Sequence, residues 1–90
     1  MDLVSMKIGM KVEELREKKE LSQAVFAKML GISRSSIINI ETGRQGVLMT
    51  RLYDIAIALD VDVVELLPEL NWYKNNRGKK FKRVVTIIYE

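Results

Sequence analysis

Ninety residues, 48% of them apolar, suffice for one small domain with a single core. The lack of cysteine excludes disulfides and thiolate metal sites, and the lack of histidine removes the usual general base and the usual zinc ligand. Net charge is +3, but residues 1–70 hold nine Lys/Arg against eleven Asp/Glu while residues 71–90 hold six against one, so phosphate affinity must come from local clustering or from the tail.

Ile8, Val12 and Leu15 recur at i, i+4 and i+7 and predict a first helix ending near Lys19, with residues 1–6 as a loose lead-in. Ser22 is placed to cap a second helix, with Gln23 in its first turn. Phe26, Ala27 and Leu30 form one apolar face of that helix. Gly31 interrupts the pattern where a positive φ is wanted, and Ile32 returns toward the core. Ser33 is a good cap for a third helix, which Ile37 and Ile40 pin from beneath. Arg34, Ser35, Ser36, Ile38 and Asn39 are then left outside. So short a helix has little stability of its own, and its outward face is free to be chosen for contact.

A glycine-containing loop follows, from Thr42 to Val47. Leu52, Ile55, Ala56 and Leu59 give the buried stripe of a fourth helix. Asp62 and Glu65 are spaced as a capping box for a short fifth helix, with Leu66 and Leu67 inward and Pro68 as its stop. Asn75-Asn76-Arg77-Gly78 is a turn signal. Phe81 to Tyr89 is β-branched and aromatic and predicts one strand, with Phe81, Val85, Ile87 and Tyr89 on one face. A lone strand cannot satisfy its own backbone, so it needs the segment before the turn or a second subunit. No apolar run approaches the ~20 residues of a membrane span and no signal peptide is evident, so a soluble cytoplasmic protein is expected.

The stretch Gln23 to Thr42 resembles the helix-turn-helix of the lambda-repressor-like, Cro-C1-type (XRE) family. Gln23, Ala27, Gly31, Ile37, Ile40, the IETG of residues 40–43 and Arg44 carry the match, within a resemblance running from about Ile8 to Leu67. It implies an all-α, five-helix DNA-binding domain over residues 1–68. Residues 69–90 add a basic C-terminal extension, read as a β strand or hairpin. Where the family has glycine or asparagine this chain has Glu20, which should cost on the order of 1 kcal/mol in the left-handed region. Val47 and Leu48 replace the family's proline and capping serine, leaving the start of the fourth helix open over two or three residues, with Thr50 as the available cap.

Arginine offers guanine a bidentate fork, asparagine does the same for adenine, and serine suits several partners. The resemblance makes Arg34, Ser35 and Asn39 base readers; from the residues alone they also read as a solvated polar face. Ile38 suits a thymine methyl group, or is a lone surface isoleucine. Gln23, Ser36, Thr42 and Arg44 are candidates for phosphate contact, and Ser33 for cap, contact or both. The family pattern implies a partly buried ion pair between Arg16 and Glu41. The tail cations can add phosphate contacts or keep a β edge from aggregating.

These readings predict a regulator, most simply a repressor, that binds double-stranded DNA as a homodimer on a palindromic operator. The dimer contact is assigned to Phe81, Val85, Ile87 and Tyr89. The alternative is an antitoxin or immunity-type regulator whose C-terminal strand pairs with a partner protein. Catalysis, metal and cofactor are not expected, and neither is a membrane partner.

Overall fold

The computed structural model describes residues 2–77. Five α-helices run in chain order: α1 Leu3–Lys18, α2 Gln23–Leu30, α3 Arg34–Glu41, α4 Met49–Leu59 and α5 Leu70–Asn76, with one 3-10 turn at Val63–Leu66 before α5. The expected C-terminal strand, with Phe81, Val85, Ile87 and Tyr89, lies outside the described residues.

The first helix starts earlier than the Ile8 periodicity predicts. The Asp2 carboxylate accepts hydrogen bonds from the Ser5 backbone N–H at 2.6 Å and from the Ser5 hydroxyl at 2.9 Å. That cap carries the helix through residues expected to be loose, and Val4 extends the buried stripe one turn back from Ile8. At the other end the chain turns through Glu20, whose φ is 58°. Glu20→Gly should therefore raise stability by about 1 kcal/mol, read as a shift in urea midpoint. No gain would show that the glutamate carries a compensating contact.

The middle of the chain follows the pattern closely. Ser22 caps α2 through the Val25 N–H, and Gly31 closes it at φ 68°. Ser33 then caps α3 through the Ser36 N–H. Val12, Phe26, Ile37, Ile55 and Leu59 have no accessible surface, and Ile8, Ala27, Ile40, Leu52, Ala56 and Leu66 complete the core. α3 is held between α1 and α2, while α4 closes the far side of α2. This places α3 on the core by its isoleucines and leaves its other side to solvent.

Four expectations need correction after Thr42. α4 begins at Met49 with Leu48 in the cap position and no side-chain cap, so Thr50 lies inside the helix. An Arg51 guanidinium N–H donates to the Leu30 carbonyl oxygen at 3.3 Å and ties this helix to the end of α2. The Asp62–Glu65 capping box forms, but it opens a single 3-10 turn rather than an α-helix, because Pro68 follows too soon. Leu66 is buried, whereas Leu67 is 40% exposed and does not pack inward. Beyond Pro68 the chain forms α5, which reaches into the expected turn at Asn75 and Asn76 and removes residues 70–76 as a partner strand. No residue of α5 is buried; Trp72 is half-covered, with the Lys7 ammonium 5.5 Å from its ring centroid.

Candidate nucleic-acid interface

The candidate interface is the outward side of α3 with the ends of its neighbours. Arg34 and Ser35 are exposed at its first turn. Ser36, Ile38 and Asn39 are half-buried, so Ile38 is less open than the helical pattern predicts. Ser35 and Asn39 make no side-chain hydrogen bond among the described residues, and neither does the exposed Arg44 in the following loop. Their donors and acceptors are therefore available to a ligand.

The other polar groups are partly engaged. The Ser33 and Ser36 hydroxyls lie 3.0 Å apart, and Ser33 Oγ also accepts the Ser36 N–H at 3.1 Å. Ser33 is thus a cap in this structure, with Ser36 its hydroxyl partner. Thr42 Oγ1 donates to the Ile38 carbonyl oxygen at 2.8 Å, closing the last turn of α3. That bond uses the hydroxyl hydrogen but leaves oxygen lone pairs, which cannot serve a phosphate.

Beneath this face lies the ion pair that the family pattern implies. Arg16 Nε donates to Glu41 Oε2 at 2.6 Å, and Arg16 Nη2 donates to Glu41 Oε1 at 3.1 Å. Both side chains are buried, at 9% and 1% exposure. A further guanidinium N–H reaches the Leu21 carbonyl oxygen at 2.7 Å, so one arginine ties α1 to the α1–α2 loop and to the end of α3. The hydrogen-bonded Glu41 carboxylate holds the Arg16 guanidinium above the usual arginine range, against the opposing effect of burial.

Gln23 is the residue whose surroundings the sequence did not disclose. Its Nε2 donates to Glu41 Oε1 at 3.1 Å, and its Oε1 accepts from Arg34 Nη2 at 3.3 Å. It was expected only to meet phosphate. The structure links it to the buried pair on one side and to the first residue of α3 on the other. No spacing rule brings residues 16, 23, 34 and 41 together; only the crossing of three helices does.

Comparison with known proteins agrees with this geometry. A helix-turn-helix family model matches residues 12–66. The control protein C.MunI of Mycoplasma sp is 31% identical over 71 residues, covering 78% of this chain and 96% of that protein. The crystal structure of the restriction-modification controller protein C.AhdI from Aeromonas hydrophila superposes with a TM-score of 0.67 at 35% identity, over 70% of this chain and 96% of that one. A hydroxypropylphosphonic acid epoxidase from S. wedmorenis superposes with a TM-score of 0.71 at 25% identity, over 76% of this chain but 36% of the enzyme, a likeness of fold in one part of that protein. The chain belongs to the XRE-type helix-turn-helix family of DNA-binding transcriptional regulators.

Proposed function

We propose that this chain represses transcription as a homodimer on a palindromic operator, with Arg34, Ser35 and Asn39 reading base edges. The observation that carries the reading is the outward face of α3: a capped helix start, two exposed side chains and an adjacent half-buried amide with no internal partner. Two recognition helices related by a two-fold axis meet successive major grooves about 34 Å apart. Ile38, half-buried at the edge of the face, contacts a thymine methyl group in this scheme. Arg44, Ser33, Ser36 and the remaining N–H of Gln23 hold flanking phosphates and fix register without sequence information, while Thr42, its hydroxyl hydrogen given to the Ile38 carbonyl oxygen, drops out of that set. The relatives named as control proteins, each matched over 96% of its length, support genes of a restriction–modification system as the regulated set.

Selection of bound sequences from a random DNA pool tests the reading, and a palindromic motif is the expected result. Arg34→Ala should relax preference at one symmetric pair of positions and cost about 1–3 kcal/mol in specific binding. Unchanged specificity would remove Arg34 from the groove. For the dimer contact we propose the strand face of Phe81, Val85, Ile87 and Tyr89, which the sequence pattern supports. Deletion of residues 79–90 should then give monomers by sedimentation; a surviving dimer would place the contact on the helical domain.

A further inference from the structure

We infer that the first turn of α1 positions the loop that carries Arg44, with Met6 as the positioning residue. The inference rests on the phosphate contact proposed above for Arg44 and adds what holds that contact in place. Asp2 to Met6 lie ahead of residues 12–66, the span of the family match.

The loop from Gly43 to Val47 has no helix or strand of its own, so its course is set by what it touches. Gly43 is buried at φ 76° against the first turn of α1. A Cβ there would fall 2.7 Å from the Met6 Cα and Cγ atoms and 2.9 Å from the Met6 backbone nitrogen. The two backbones are therefore in direct contact, and the base of the Met6 side chain lies on the loop. Two residues on, the Gln45 N–H donates to the Asn39 carbonyl oxygen at 3.2 Å. A Cβ at Gly46 would meet the buried Ser5 hydroxyl oxygen at 3.7 Å, an ordinary van der Waals distance. Residues 43, 45 and 46 thus each touch α1 or α3, while the Arg44 side chain among them is exposed.

The turn that holds the loop is itself fixed. The Asp2 carboxylate takes both the N–H and the hydroxyl of Ser5, and Ile8 and Val12 anchor the rest of α1 in the core. Loss of the cap therefore frays only the turn ahead of Ile8. A loop held in place before DNA arrives gives up less freedom on binding. A phosphate carries no sequence information, so the effect of this turn falls on all sites alike.

The test measures DNA affinity across a salt series for wild type, Met6→Ala, Met6→Leu, Asp2→Ala and Arg44→Ala, and for Met6→Ala and Asp2→Ala each combined with Arg44→Ala. Met6→Ala should weaken binding to matched and random DNA equally, roughly two- to tenfold, the equivalent of one ordinary hydrogen bond, with a shallower salt dependence. Met6→Leu keeps the apolar bulk and should bind as wild type does. In the Arg44→Ala background Met6→Ala should weaken binding no further, which a merely structural role would not produce. Asp2→Ala also removes a negative charge, so its effect is read as the difference between the two backgrounds. That difference decides the matter if circular dichroism shows Met6→Ala unfolded. The same effect with and without Arg44, or none in either background, would overturn the inference. If Arg44→Ala itself leaves affinity and salt dependence unchanged, the proposed phosphate contact fails and the inference with it. A silent Met6→Ala beside a responsive Arg44→Ala sinks the inference alone.

Discussion

Glu41→Ala should cost about 3–5 kcal/mol of folding stability, enough to remove much of what a small domain has. The carboxylate is 1% exposed and accepts from Arg16 twice and from Gln23 once. Its removal strands a guanidinium inside, with only the Leu21 carbonyl oxygen left as partner. Arg16→Ala should be comparably severe, because it leaves the buried carboxylate with one amide donor. Urea denaturation measures both, and a loss below about 1 kcal/mol would show that water reaches the pair easily. Replacing both residues by apolar ones of similar size should cost less than either truncation, since no charge is then left buried. The pair's arginine half is insensitive to ordinary pH. Its pKa is raised in the fold, so its contribution is in place below the unfolded-state value and is lost only in strong alkali, as pH rises through the folded one.

Gly9→Ala should also be costly, by about 3 kcal/mol or more, at the upper end of what overpacking a core does. Gly9 is where α1 crosses the end of α3. An added Cβ would overlap the Ile40 carbonyl oxygen and sit 2.7 Å from that of Glu41. These are backbone atoms and cannot swing aside as a side-chain tip would. Relief requires α1 and α3 to separate, which would lengthen the Arg16–Glu41 contact. The expected sign is therefore a lower melting temperature together with weaker DNA binding. An unchanged melting temperature would mean that the crossing yields at little cost.

The parts of this fold that were legible in the sequence are those whose causes are local. Ser22, Gly31, Ser33 and the Asp62–Glu65 box each act within four residues, and each appears where the pattern places it. The isoleucine pair under α3 was readable for the same reason, since helical period alone defines it. The start of α1 was missed although its cause is local too: Asp2 is a cap, but it stood outside the hydrophobic period used to find the helix. α5 was missed because its turn-rich end masks a helix whose one half-covered anchor, Trp72, meets α1 sixty-odd residues away. Gly9 and Gln23 belong to another kind. What makes them matter is the approach of segments distant in the chain, and a single sequence carries no signal for that. At the interface, the sequence supplied Arg34, Ser35 and Asn39 as an outward polar set, and their exposure or free amide agrees with that reading. It did not supply the contact that restrains one of them.

α3 is eight residues long and owes its shape to Ile37 and Ile40 below rather than to the groups it displays. Substitutions at Ser35 or Asn39 leave the packed side of that helix untouched. Target choice and thermodynamic robustness are in this respect separable properties of the molecule. If Ser35 and Asn39 read bases as proposed, such a scaffold can be given a new operator by exchanging a few surface side chains, with no new core to be found. Arg34 is the exception, since whatever replaces it must also suit the amide of Gln23.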